Sequence, residues 1–154
     1  MTWSLKLQNG DLTFDNGHLS VVDNEEKMIQ DLRCQLLEKM GFDDMHPEYG
    51  SLIDGGETVD GIVYNSIIAD DDIEMVKLRI QSEIMRVVES YQNRQLDRAK
   101  ADKMLYGKQS LTPREIVSSV NSIDFIENLD QLIVNVSLST TQGQETTIEL
   151  NVMK

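Results

Sequence analysis

A chain of 154 residues and 17.5 kDa suits one domain, or one domain with a projecting arm, and can bury roughly 68–70% of its unfolded surface without metal or disulfide staples. Its 40% apolar and 27% charged residues exclude a disordered chain, and no apolar run approaches the ~18–20 residues of a membrane span. With 14 Lys and Arg against 27 Asp and Glu, the net charge of −13 argues against nucleic acid and against an anionic membrane surface as partners.

Trp3, Leu5 and Leu7 alternate with polar residues, as do Leu12 and Phe14, and Leu19, Val21 and Val22 follow. Asn9-Gly10 and Asn16-Gly17 separate these runs, so three short strands in a meander are expected, packed on a helix because so small a sheet cannot stand alone. That helix opens at Asp23 as N-cap, with Glu26 three residues on, and places Ile29, Leu32, Leu36, Leu37 and Met40 on one face before Gly41 stops it. Residues 42–60, with Pro47, Gly50, Gly55 and Gly56, read as a loop.

Asp70, Asp71 and Asp72 then open a longer helix. Ile73, Val76, Ile80, Ile84, Val87 and Tyr91 recur at intervals of three and four, a seam narrow enough for contact with a neighbouring protein or with the chain's own core. If it persists to Met104 this helix is on the order of 50 Å long and must protrude or break, so residues 92–110 are expected to form an arm or insertion. Thr112-Pro113-Arg114-Glu115 has the signature of a new helix start, running to about Val120. A strand from Ile123 precedes a hairpin in which Leu132, Val134, Val136 and Leu138 face Ile148, Leu150 and Val152 across a turn at 140–144. The expected fold is α+β: an N-terminal meander and a C-terminal hairpin packed against two main helices.

Chemistry is sparse. His18 and His46 lack ligand spacing, Cys34 has no companion and the Asp70–Asp72 run lacks the glycine and closing glutamate of a calcium loop, so neither metal nor cofactor is expected. There is no nucleophile elbow and no phosphate loop. The one enzymatic reading pairs Glu48 with Asp43, Asp44 or Asp54 as glycosidase carboxylates, but nearby acids arise by chance in so acidic a chain. The last strand is more informative. Its outward residues Thr147, Glu149 and Asn151 carry one charge and no proline, leaving an edge open to an added strand unless the N-terminal meander covers it. Residues 77–108 carry 8 basic and 4 acidic groups, whereas residues 1–76 carry 4 and 17. That segregation suits docking within an assembly, or a simply solvated helix. One cysteine and no apolar leader behind MTWSLKLQNGD point to a reducing compartment.

In the order LKLQNGDLTFDNGHLSVVDN, EEKMIQDLRCQLLEKMG with Gln30, HPEYGSLID, a long helix from Asp70, Pro113-Arg114 and a two-stranded ending, the chain resembles the small baseplate wedge proteins of contractile phage tails. These are also called sheath initiators and are often labelled "lysozyme-like". The family's glutamate-proline-arginine motif reads Thr112-Pro113-Arg114 here, and residues 92–110 look like an insertion. The resemblance implies a non-enzymatic component of the virion tail baseplate, assembled in the host cytoplasm in several copies around a six-fold axis. Its partners would be other wedge proteins, hub or tube proteins and the sheath protein. Residues 132–152 would be the sheath platform, with Thr147, Glu149 and Asn151 on its edge. The seam Ile73–Tyr91 with Arg94, Arg98, Pro113 and Arg114 would face neighbouring wedge components. The alternative is a peptidoglycan-cleaving tail enzyme acting through Glu48.

Overall fold

In the computed structural model, which describes residues 2–153, the chain has an α+β fold. Both Asn-Gly pairs take positive φ at each residue (53° and 86° at Asn9-Gly10, 49° and 82° at Asn16-Gly17), the geometry of a tight two-residue hairpin turn. The expected three-stranded meander is replaced by a three-armed structure. β1 (Trp3–Leu5) pairs with β6 (Val21–Asp23), β2 (Leu7–Gln8) with β3 (Asp11–Leu12), and β4 (Phe14–Asp15) with β5 (His18–Leu19). At the junction Lys6 N–H donates to Ser20 C=O (2.8 Å), Thr13 N–H to Lys6 C=O (3.1 Å) and Ser20 N–H to Thr13 C=O (2.9 Å). Each hairpin closes after two residues per strand, so apolar residues pair only within their own arm, Leu7 opposite Leu12 and Phe14 opposite Leu19, and no common sheet is built. Phe14 remains 67% exposed.

α1 (Asn24–Leu37) starts after Asp23 as expected, with Glu25 and Glu26 in its first turn. Gln30 fastens it to the three-armed unit, accepting from Leu7 N–H and donating to Leu5 C=O at 2.8 Å each. Leu32 and Leu36 are buried and Ile29 lies at the core margin, but Leu37 is 51% exposed. The helix ends at Leu37, four residues before Gly41, because the next residues enter a sheet. β7 (Lys39–Met40) runs parallel to β8 (Ser51–Glu57), which pairs antiparallel with β9 (Val63–Tyr64). β8 lies inside the stretch expected to be loop. Its glycines are there because backbones meet: a Cβ on Gly56 would sit 2.5 Å from Met40 O.

A short 3-10 turn (Ile67–Ala69) leads to α2 (Ile73–Tyr106), 34 residues and about 51 Å long. Asp72 Oδ1 accepts from Glu74 N–H (3.0 Å) and Met75 N–H (3.4 Å), and Gly107 closes the helix at φ 69°. Beyond Gln95, the last buried residue, the helix carries no buried side chain. The chain returns at Ser110, whose N–H and hydroxyl donate to Asp102 Oδ2, and this holds the Asp102 carboxyl below its usual range.

The helix expected after Thr112 does not form. Glu115 N–H closes a single turn on Thr112 C=O (2.9 Å). The Glu115 side chain is buried elsewhere, accepting from Thr2 N–H (2.9 Å) and Thr2 Oγ1 (3.0 Å). Gln95 grips Glu115 C=O and Val117 N–H, so strand begins at once. β10 (Val117–Glu127), β11 (Gln131–Thr140) and β12 (Glu145–Met153) form an antiparallel sheet in that order. Leu132, Val134, Val136, Leu138 and Leu150, all 0% exposed, turn toward α1 and α2 and build the core.

Candidate functional site

Hydrogen bonds alternate along an antiparallel pair, so one bond sets the parity of the whole strand. Thr140 N–H donates to Gln144 C=O at 2.9 Å, and the register runs on through Leu138–Thr146, Val136–Ile148 and Val134–Leu150. Thr146, Ile148, Leu150 and Val152 therefore aim their backbone groups at β11. Those of Glu145, Thr147, Glu149 and Asn151 face away from the sheet. β12 is outermost, and among the described residues no second strand pairs with it; β1 to β6 do not cover it. Thr147, Glu149 and Asn151 have exposed side chains, as the alternation predicts. At the C-terminal end of this edge lies a groove of about 240 Å³ lined by Leu36, Leu37, Ile53, Asp54 and Val152. Counting helix faces places Leu37 inside and gives no hint of it; only α1 ending early against β8 creates the groove.

The residues expected to face neighbouring wedge proteins divide into two groups. Val76, Ile80, Ile84 and Val87 are 0–2% exposed, and Ile73 and Tyr91 pack at the margin of the same cluster. The seam is thus the chain's own core face and is corrected to that: a side chain sealed among α1, β8 and the C-terminal sheet has no surface left for a partner. Arg94 is an exposed residue that the chain's own groups also hold. Its guanidinium lies 5.6 Å from the Tyr49 ring centroid and 5.8 Å from that of Tyr91, and it donates to Gln35 Oε1. Arg98, Pro113 and Arg114 are exposed. Arg114 Nε donates to Gln142 Oε1 at 2.9 Å and Thr141 Oγ1 to Pro113 C=O at 2.9 Å, tying this turn to the β11–β12 loop.

The Arg94 clamp holds the 42–50 loop against α1 and α2. Burial pushes the Tyr49 hydroxyl up to about 12, with Cys34 and Asp31 adding to it, and burial first, then Asp31, raises Tyr91 further. Folding therefore favours the neutral phenols. That contribution is complete below pH 10, the unfolded value, and is lost as pH rises through about 12. Tyr49→Phe is expected to lose less stability across this window than wild type, as read by chemical denaturation at stepped alkaline pH; identical pH profiles would contradict it.

Glu48 is exposed in the same loop. Asp43 accepts from Met45 N–H (2.9 Å) and lies 3.0 Å from His46 Nδ1, contacts that hold its carboxyl below the usual value, His46 first. This carboxylate shapes a turn and is kept ionised. Asp54, on β8, lines the β12 groove and also a second groove beside Phe42 and Glu57. Among the described residues no three His, Cys, Asp or Glu side chains converge as a metal site would require. Cys34 is half-buried, and burial raises its thiol above the ordinary value.

Comparison with protein-family models, with curated proteins and with solved structures finds no match to this chain.

Proposed function

We propose that this chain is a non-enzymatic wedge component of a contractile-tail baseplate, docking beside the central hub and lending the β12 edge to the sheath. One observation carries this reading: the N–H and C=O groups of Thr147, Glu149 and Asn151 point outward from an edge that no described strand of the chain occupies. A partner strand added there gains a row of backbone hydrogen bonds while demanding little side-chain identity. That suits a sheath subunit that also joins its neighbours by exchanged strands. The exposed Pro113-Arg114 turn and Arg98 remain available for other wedge proteins, and hub or tube proteins complete the set of partners. Several copies around a six-fold axis, in the virion tail baseplate, follow from the same reading.

Parity supplies the test. Deleting residues 144–154 would also remove Ile148, Leu150 and Val152 from the core. Proline at 149 instead deletes one outward N–H and leaves the β11–β12 ladder intact. Glu149→Pro and Thr147→Pro are expected to give folded protein and complete baseplates without sheath. Ile148→Pro breaks the ladder itself and is expected to unfold the chain. Normally sheathed tails carrying Glu149→Pro would refute the platform.

A further inference from the structure

Among the exposed apolar residues outside the β12 edge, two groups lie in stretches of opposite charge. The first is the end of α2, where Met104, Leu105 and Tyr106 are 86%, 73% and 72% exposed. In the sequence Arg98, Lys100, Lys103 and Lys108 flank them, against Asp97 and Asp102 in the same stretch. Lys100 pairs only with Asp97 one turn away, at 3.4 Å, and Arg98, Lys103 and Lys108 form no ion pair among the described residues. The second patch lies on the β7–β8–β9 unit. Phe42 and Val63 are 76% and 72% exposed there, and Val59, in the turn between β8 and β9, is 66% exposed. Between Lys39 and Lys77 the chain has ten Asp and Glu and no Lys or Arg. The centre of this patch is a groove of about 510 Å³ in which Phe42, Val63 and Tyr64 meet Asp54 and Glu57, with Lys39 the one cation on its wall.

We propose that the basic, apolar tip of α2 seats in the acidic groove between β7 and β9 of a second copy of this chain, joining copies head to tail. Each patch supplies what the other lacks: aliphatic and aromatic surface to bury, flanked by charge of the opposite sign. One molecule cannot satisfy both by itself. α2 is one unbroken helix anchored by buried residues as far as Gln95, so its tip points away from its own body. An anionic membrane or a nucleic acid would suit the tip alone but would meet repulsion from the remainder of a chain of net charge −13. A second copy presents the acidic groove directly. Because the two surfaces differ, the contact is heterologous, so it closes into a ring when the rotation permits and otherwise extends as an open array.

Sedimentation velocity on the purified chain tests this. Wild type is expected to show a sedimentation coefficient rising with concentration and falling with added salt. A tip variant (Lys100→Gln, Lys103→Gln, Leu105→Gln) and a groove variant (Phe42→Ser, Asp54→Asn, Glu57→Gln) change only exposed side chains. Each is expected to associate at least about tenfold more weakly by itself while keeping the wild-type circular dichroism. Mixed, they retain one good tip and one good groove on different molecules, so the mixture is expected to form one-to-one pairs and nothing larger. A wild type monomeric at every concentration, or variants that associate as wild type does, would overturn the proposal. So would binding of the tip to vesicles of anionic phospholipid without self-association.

Discussion

Gly56→Ala is expected to cost roughly 3 kcal/mol or more and to leave much of the chain unfolded at moderate denaturant. The reason is twofold. Gly56 has φ of 151°, a conformation that side-chain-bearing residues rarely adopt. The added Cβ would also sit 2.5 Å from Met40 O and 3.1 Å from Met40 N, atoms of the backbone that cannot rotate away. Relief requires β7 and β8 to separate, and with them the end of α1. Gly143→Ala is the control: it shares a positive φ of 83° but meets nothing within 4 Å, so only backbone strain of about 1 kcal/mol is expected. Denaturant midpoints compare the two. Equal losses would mean that the close approach of β7 to β8 contributes nothing.

Glu83→Ala is expected to destabilise by about 2–4 kcal/mol, with Glu83→Gln intermediate. Glu83 lies in the middle of α2 at 7% exposure. Its Oε1 accepts from Leu52 N–H (2.7 Å) and from an Arg86 guanidinium nitrogen (2.7 Å), and its Oε2 from Arg86 Nε (3.0 Å). Arg86 reaches on to Gly50 C=O (3.0 Å), so the pair bolts the start of β8 to the helix. Alanine would orphan the Leu52 amide and leave Arg86 without its carboxylate. Arg86 is 39% exposed and water would recover part of that loss, which keeps the expected cost below that of a fully sealed pair. Glutamine keeps an acceptor for Leu52 and drops the charge. Urea denaturation of the three proteins gives the order, and Glu83→Ala matching wild type would show that β8 is held by apolar packing alone.

Several features were legible in the residues because they depend on neighbours in sequence. The Asn-Gly turns, the aspartate cap of α2 and the period-two alternation of β11 and β12 all follow from local sterics and local hydrogen bonding. The hairpin was legible in this way but the state of its edge was not: the N-terminal meander could have covered it, and the topology leaves β12 with β11 as its one partner among the described residues. The seam Val76–Val87 was recognised as a contact surface, but periodicity cannot say whose atoms lie opposite it. Arg94 shows the same limit: it is exposed, as its charge suggests, but its contact with Tyr49, 45 residues earlier, is not written in the local sequence.

The amino-acid order by itself determined the α+β class, the two helices and the hairpin with one apolar face, since each is written in the spacing of apolar residues and turn formers within a few positions. Only the tertiary structure decided that β8 is a strand, that no helix follows Pro113, and that the α2 seam turns inward. Those three outcomes rest on contacts between distant residues: Gly56 against Met40, Glu115 holding Thr2, and Ile80 and Ile84 sealed in a cluster with Leu32 and Leu132. Local preference differs by a few tenths of a kcal/mol per residue, whereas burying an apolar side chain contributes about 1.5–3 kcal/mol, so the long-range contact prevails where the two disagree.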